Sequence, residues 1–232
     1  MRYFGKLAAI FSLAAGLLSW AGCGSSDTSA VTASIGSASA TQAAGAAGQP
    51  GSRPLPRLLS RAELLHPKVL IQTSLGDITL ELDAEKAPLT VDNFLAYIDR
   101  GHYDQTIFHQ VWKNYVILGG SYDAKLAERR CRAPIMNEAH KALKNTRGTI
   151  AMAHRPNGVD TAACQFFINV RDNPSLDHKD RTLAGYGYCA FGRVTSGLEV
   201  IDKIANVDVH NVDQFEQVPV EPVLVRSVRR IP

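Results

Sequence analysis

Residues 108–120 have the sequence FHQVWKNYVILGG, and this stretch decides the fold. It opens with mostly apolar residues, breaks at Lys113 and Asn114, resumes with β-branched residues and ends on two glycines. Two runs of strand-forming residues around a short polar break are typical of two strands joined by a tight turn. We therefore predict a β-hairpin at this place.

Further strand and helix patterns extend this hairpin into a domain. Val69–Thr73 and Asp77–Leu82 predict a second hairpin around a glycine turn. Residues 87–99 and 197–207 have an apolar stripe at helical spacing, which predicts two helices. Many short strands with only two helices favour a mainly β fold, a closed antiparallel barrel.

The first 23 residues have the features of an export signal. Arg2 and Lys6 precede an apolar run, residues 7–18, that is short for a membrane span. Residues 21–23, Ala-Gly-Cys, are similar to the end of a lipobox, in which the cysteine is lipidated after cleavage. We expect a lipid anchor at Cys23 and a location in the periplasm or cell envelope. An ordinary cleaved signal or an uncleaved anchor is the alternative.

Residues 24–60 are predicted to be a disordered linker between the membrane and a folded domain. They consist largely of Ser, Ala, Gly and Thr, which bury too little apolar surface to offset the entropy of ordering. Neither Gly24 nor Ser25, the two residues after Cys23, is an aspartate, which favours the outer membrane over the inner one. Residues 61–232 have the length and composition of a single domain with a sizeable core.

Charge and metal-ligand spacing exclude several function classes. The net charge is +3 and the basic residues are dispersed, which argues against nucleic-acid binding. We also expect the protein to be a monomer. The histidines and cysteines show no metal-site spacing, so we predict no metal and no cofactor. Besides Cys23 there are Cys131, Cys164 and Cys189, which we expect to be buried free thiols; one pair could form a disulfide, but the sequence does not select it.

Three ordered segments give the chain a resemblance to a known family. Residues 108–120, 148–153 (GTIAMA) and 165–169 (QFFIN), with helices in the expected places between them, resemble the cyclophilin family of peptidyl-prolyl cis/trans isomerases. The resemblance extends from about Val69 to Val228. It implies an eight-stranded closed barrel capped by two α-helices, and an enzyme that acts on proline-containing segments and assists protein folding.

The resemblance also implies the residues of the site. Phe167 and Leu176 would line a proline pocket, and Gln165 would bind the substrate backbone. Isomerisation transfers no proton, so His109 is predicted to be a core histidine bonded to backbone rather than a general base. The other substrate-binding positions implied are Tyr115, Val116, Leu118, Ala153, His154, Ser175 and Tyr188.

The resemblance implies three catalytic positions, Phe167, Gln165 and Gln110, and Gln110 departs from the family pattern. Active relatives carry here the arginine that donates to the prolyl nitrogen, and they usually carry a glutamine where this chain has Leu118. A hydrogen bond is worth about 1.5–3 kcal/mol with a charged group and about 1 kcal/mol between neutral groups. Losing about 1–2 kcal/mol slows turnover about 5- to 30-fold. The sequence thus supports an isomerase of reduced activity, or alternatively a non-catalytic module that binds proline segments as a holdase or scaffold.

Overall fold

The computed structural model describes residues 60–232 of the chain. The predicted signal with Cys23 and the predicted linker up to residue 59 lie outside the described residues. Within residues 60–232, none of the helices has the length and apolar character needed to cross a membrane.

Eight strands of the described part form a closed antiparallel barrel, as predicted. The strands are β1 (Lys68–Thr73), β2 (Gly76–Leu82), β3 (Thr106–Trp112), β4 (Val116–Asp123), β5 (Thr149–Met152), β6 (Phe166–Asn169), β7 (Ala190–Ser196) and β10 (Leu224–Ile231). Around the barrel their order is β1-β10-β3-β4-β6-β5-β7-β2, and β2 pairs with β1 to close the ring.

Both predicted hairpins are confirmed. The turn between β1 and β2 places Gly76 at φ +137°, where a Cβ atom would lie 2.7 Å from Val200 Cγ2, so only glycine fits. Between β3 and β4, Asn114 adopts a left-handed φ of +57°, a conformation that asparagine tolerates better than most residues. The Tyr115 amide donates to Trp112 O at 3.0 Å and closes this second turn.

Three α-helices accompany the barrel: α1 (Arg61–Leu65), α2 (Pro88–Ile98) and α3 (Leu198–Ala205). The two predicted helices, α2 and α3, form within two residues of the predicted bounds, and both bury apolar side chains in the main core. The short α1 was not predicted. A capping box begins it, because Ser60 Oγ accepts from the Glu63 amide and Glu63 Oε2 accepts from the Ser60 amide.

A second, two-stranded sheet outside the barrel was not predicted either. It consists of β8 (Val209–Val212) and β9 (Phe215–Pro219), and β9 contacts β3. The Phe215 ring packs edge-on against Tyr122 at 5.0 Å, and the Tyr122 ring lies 4.7 Å from that of His109. The β8–β9 hairpin therefore packs beside the stretch that decides the fold.

His109 is a buried histidine, as predicted, but its predicted bond to backbone is wrong. Its side chain is 2% exposed, and its Nδ1 atom has no hydrogen-bond partner among the described residues. The aromatic ring of Tyr122 occupies the space beside the imidazole instead. Burial without a charged or polar partner lowers the pKa of His109 to about 3, so the ring is neutral at physiological pH.

The expectation of free thiols holds for Cys189 and is wrong for the other two described cysteines. Cys131 and Cys164 form a disulfide across 33 residues of sequence, with their Cα atoms 5.7 Å apart. Cys189 is buried and free, and burial raises the pKa of its thiol to about 12. The Cys131–Cys164 disulfide forms because the segment after β4, which holds Cys131, passes close to the start of β6, where Cys164 lies. Spacing along the sequence does not show this approach.

We expect the buried neutral His109 to make stability depend on pH. Between its folded pKa of about 3 and the ordinary value of 6.5, only the unfolded chain takes up a proton here, so stability is lost as the pH falls. The loss between pH 7 and pH 5 is about 2 kcal/mol for this group. In His109→Phe, urea denaturation at the two pH values should show a pH dependence smaller by about that amount.

The exposed His210 on β8 provides the matched control. His210→Gln should keep the wild-type difference in unfolding free energy between pH 7 and pH 5. An unchanged difference in His109→Phe would contradict the account.

Candidate active site

A row of directly opposed residues crosses five strands of the barrel. Gln110 lies opposite Leu118, Leu118 opposite Phe167, Phe167 opposite Ala151, and Ala151 opposite Ala190. Opposed side chains on antiparallel strands share a face, with Cβ atoms about 4.5–5.5 Å apart. We refer to these five residues as the cross-strand row.

The cross-strand row is the centre of an apolar cluster separate from the barrel core. Phe167 belongs to this second cluster, whereas its neighbours Phe166 and Ile168 belong to the main core, so Phe167 points to the outer face. The buried members are Val116, Leu118, Ala151, Ala153, Phe167, Leu176 and Ala190, with Trp112, Tyr115, Leu143 and Tyr188 packed against them. We call this set the outer cluster; it brings together seven of the predicted site residues.

Aromatic contacts extend the outer cluster to His154. The rings of His154 and Tyr188 stack at 4.3 Å, and Tyr188 meets Phe167 edge-on at 5.5 Å. His154 Nδ1 and Nε2 lie 3.0 Å and 3.2 Å from the carbonyl oxygens of Arg155 and Gly187. These contacts hold the imidazole and phenol rings in fixed positions beside Phe167.

Gln165 and Ser175, the remaining predicted substrate-binding residues, lie at the margin of the outer cluster. Gln165 O accepts from the Ala153 amide at 3.0 Å, and the residue is partly exposed. Ser175 is exposed in the single 3₁₀ turn Pro174–Leu176, and it does not join the apolar cluster, although Leu176 does.

Gln110 is held by the β8–β9 hairpin. Its side chain is 5% exposed, and its Nε2 atom donates to Glu216 O of β9 at 3.1 Å. A primary amide has two N–H donors, so this bond orients the amide and leaves a second N–H. The apolar side chain of Leu118 lies directly opposite. The hairpin that fixes this side chain could not be identified as part of the site from the sequence.

The two tyrosines of the outer cluster remain protonated at neutral pH. Burial raises the pKa of Tyr115 to about 12 and also raises that of Tyr188. Both phenols can therefore donate a hydrogen bond, and neither acts as a base near pH 7. This suits a reaction that transfers no proton, such as rotation about an amide bond.

Buried asparagines that the sequence analysis did not identify position the cluster. Asn145 Nδ2 donates to Leu176 O at 3.2 Å and to Tyr188 O at 3.1 Å. Asn145 Oδ1 accepts from Asn169 Nδ2 at 3.2 Å. One amide side chain thus joins the backbone of two predicted pocket residues from different segments.

Asn173 extends the same network to a third residue of the cluster. Its Nδ2 atom donates to Tyr115 O at 3.0 Å and to Asn169 Oδ1 at 2.8 Å. Asparagine in a segment between strands normally indicates a turn, so no pattern in the sequence pointed to a buried network.

Comparison with known proteins agrees with this architecture. Residues 68–230 match the family described as cyclophilin type peptidyl-prolyl cis-trans isomerase/CLD. A peptidyl-prolyl cis-trans isomerase of Streptomyces antibioticus is 46% identical over 161 residues, which are 69% of this chain and 96% of that protein.

Solved structures show the same similarity. A crystal structure of a cyclophilin type peptidyl-prolyl cis-trans isomerase from Cryptosporidium parvum has a TM-score of 0.59 and 25% identity, covering 72% of this chain and 98% of its own. A crystal structure of that protein in the presence of the dipeptide Ala-Pro has a TM-score of 0.57 and 26% identity, covering 69% and 96%.

The closed barrel and these similarities define a β-barrel isomerase of peptide bonds that precede proline. The chain belongs to the cyclophilin-type peptidyl-prolyl cis-trans isomerase family. The family resemblance and the enzyme class predicted from the sequence are both confirmed.

Asn145→Ala should lower both stability and the affinity for substrate. The substitution leaves the buried Tyr188 carbonyl without its donor, whereas Leu176 O keeps the Tyr188 amide at 2.8 Å, and an unsatisfied buried group costs about 1–3 kcal/mol. We expect urea denaturation to show an unfolding free energy lower by about 1–3 kcal/mol. Steady-state kinetics with an Ala-Pro peptide should show a raised KM.

Asn206→Ala is the control for this substitution, because Asn206 is exposed at the end of α3 and its side chain donates to Asp202 O. It should change the unfolding free energy by less than about 1 kcal/mol and leave KM as in the wild type. Wild-type stability in Asn145→Ala would show that the network does not hold the cluster together.

Proposed function

We propose that this protein isomerises bonds before proline in exported or envelope proteins, with the outer cluster as its proline-binding surface and Gln110 as its donor. The observation that supports this proposal is the cross-strand row, in which Gln110 lies opposite Leu118 and Leu118 lies opposite Phe167 on one face of the barrel. The relative crystallised in the presence of Ala-Pro supports a proline-containing ligand.

The chemistry requires a surface and a donor rather than a nucleophile. Resonance opposes rotation of the peptide bond with a barrier of about 18–20 kcal/mol. An apolar surface that holds the proline ring and excludes water favours the twisted amide, in which resonance is lost. Phe167 and Leu176 supply that surface, with Tyr115 and Tyr188 as its partly exposed members.

A donor aimed at the prolyl nitrogen acts mainly on the twisted state. There the nitrogen becomes pyramidal and accepts a hydrogen bond, so the interaction lowers the barrier rather than strengthening ground-state binding. The second N–H of Gln110 supplies this donor, since the first is engaged by Glu216 O. A neutral amide stabilises the twisted state less than a guanidinium does, which is the reason for a reduced rate.

A binding module without turnover is the second candidate function. The observation that favours it is the engagement of Gln110 by Glu216 O, together with an apolar Leu118 in place of a polar neighbour. In that case the outer cluster holds proline segments as a holdase or scaffold does, and no donor reaches the prolyl nitrogen.

Restoring the arginine separates the two candidates. NMR exchange spectroscopy of an Ala-Pro peptide should show acceleration by the wild type, and Gln110→Arg with Leu118→Gln should be about 5- to 30-fold faster. Absence of acceleration at high concentration of the wild type would establish the binding module. A wild type already as fast as the double variant would contradict the reduced rate.

Gln214→Arg is the matched control for the added charge. Gln214 is exposed between β8 and β9, so the same Gln-to-Arg change there should leave the exchange rate at the wild-type value. An equal acceleration by Gln214→Arg would mean that the gain reflects net charge rather than the position of the donor.

Export and a lipid anchor complete the proposal. Arg2, Lys6, the apolar run of residues 7–18 and the Ala-Gly-Cys sequence ending at Cys23 support it. Mass spectrometry of the protein from membranes should find a mature N-terminus at Cys23 carrying a diacylglyceryl group, and density fractionation should place it with the outer membrane. A non-lipidated N-terminus elsewhere would establish an ordinary signal, and an intact residue 1 an uncleaved anchor.

A further inference from the structure

His102, Cys131 and Cys164 come together although they are far apart in the sequence. One ligand atom from each, a ring nitrogen or a sulfur, lies within 4.8 Å of the other two. His102 follows α2, Cys131 lies between β4 and β5, and Cys164 lies just before β6. In the structure the two sulfurs are joined as a disulfide. Spacing along the chain predicted no metal site, because these three residues meet only in the folded structure.

We propose that the reduced form of this cluster, with Cys131 and Cys164 as thiols, binds one Zn²⁺ ion together with His102. Two thiolates and one imidazole form a ligand set that zinc uses with a fourth, oxygen ligand. The two thiolate charges balance the charge of the ion, so the complex is neutral, which suits a partly buried place. This site does not include the outer cluster and does not depend on the proposed function.

The hydrogen bond of His102 prepares its ring as a ligand. His102 Nε2 lies 3.0 Å from Gly120 O, and a carbonyl oxygen only accepts, so Nε2 carries the proton. In the neutral ring the lone pair is then on Nδ1. Histidines that bind metals commonly donate their other N–H to a carbonyl or carboxylate oxygen, which fixes the tautomer and the ring orientation.

The oxygen of Ser121 lies close to both sulfurs. Ser121 Oγ is 3.0 Å from Cys164 Sγ and 3.8 Å from Cys131 Sγ. Zinc–sulfur and zinc–nitrogen bonds of about 2.3 and 2.0–2.1 Å, at tetrahedral angles, place the ligand atoms about 3.5–3.8 Å apart. The ligand atoms lie within 4.8 Å of one another, so His102 has to move little, whereas the two sulfurs have to move apart once the disulfide is reduced. The fourth ligand is the Ser121 hydroxyl or a water molecule beside it.

Bonds that do not involve sulfur hold the three segments in place. Arg129 Nη1 donates to His102 O at 2.8 Å, and the backbone amide of Arg129 donates to Ser121 O at 2.7 Å. Tyr103 Oη donates to Cys164 O at 3.1 Å. Because these contacts are independent of the disulfide, they keep the ligands assembled after reduction.

Gly120 permits the close approach of β4 to Cys164. Its φ is +100°, and a Cβ atom there would lie 2.7 Å from Cys164 O, closer than real Cβ contacts allow. Gly120 also provides the carbonyl that accepts from His102. The glycine pair that ends the fold-deciding stretch thus makes room for the cluster.

Opening the site requires a dithiol reductant, and closing it again requires a disulfide oxidant. The reductant breaks the S–S bond, yields two thiols and becomes a disulfide itself. Zn²⁺ binding then forms two S–Zn bonds and one N–Zn bond, and it releases the two thiol protons. An external disulfide re-forms the Cys131–Cys164 bond from the two thiolates, takes up two protons from solvent to become two thiols, and the ion is released.

Cobalt titration of the full chain tests the site. After reduction with dithiothreitol and anaerobic desalting, one equivalent of Co²⁺ should give tetrahedral d–d bands and thiolate-to-cobalt charge-transfer bands, and Zn²⁺ should displace them. Cys131→Ser, Cys164→Ser and His102→Gln should each weaken Zn²⁺ binding at least tenfold, and the disulfide form should bind neither ion.

Cys189→Ser is the matched control, since Cys189 is a buried free cysteine that does not belong to the cluster. This variant should bind Zn²⁺ as the wild type does. Circular dichroism of every variant shows whether weaker binding comes from a missing metal-binding side chain or from an unfolded protein. His102→Gln and Cys131→Ser remove different ligands, so each tests the site independently. A reduced, folded wild type that binds no Co²⁺, or binding that survives Cys131→Ser and Cys164→Ser, would overturn the proposal.

Discussion

The antiparallel pairing of β4 with β6 is the constraint on which both the barrel and its outer surface depend. It sets Leu118 opposite Phe167 on the outer face, and Ile117 opposite Ile168 in the core. Side chains alternate between faces along a strand, so a slip by one residue would exchange Phe166 and Phe167. Both faces are apolar here, and the correct register is fixed by pairing on both sides of β6, with β4 and with β5.

Local signals predicted the parts of the structure that local chemistry determines. The hairpin at residues 108–120, the turn at Gly76 and the helix beginning at Pro88 each follow from a residue type at a position that only a few residues tolerate. The barrel itself followed from many short strands with few helices. The site residues were implied by family resemblance, and the structure places most of them in one cluster, while their roles in binding and catalysis remain predictions.

Two of the features that were missed depend on contacts between distant segments. The Cys131–Cys164 bond and the asparagine network around Asn145 join residues that are far apart in the sequence. The β8–β9 hairpin pairs neighbouring strands, but these strands are short and bury only Val218 and Pro219, so they lack a buried alternating face. A buried asparagine likewise resembles a turn residue until its partners are known.

That unpredicted hairpin determines how Gln110 can act. The apolar surface holds the proline ring and favours the twisted amide by excluding water, and a donor to the pyramidal nitrogen adds a bond that forms only in the twisted state. An arginine gives a stronger bond, but its long side chain loses rotational freedom when it is aimed. Gln110 is shorter, and Glu216 O already fixes its amide. On the proposed assignment, β9 therefore offsets part of the lost charge by orienting a weaker donor in advance, and this effect belongs to kcat rather than KM.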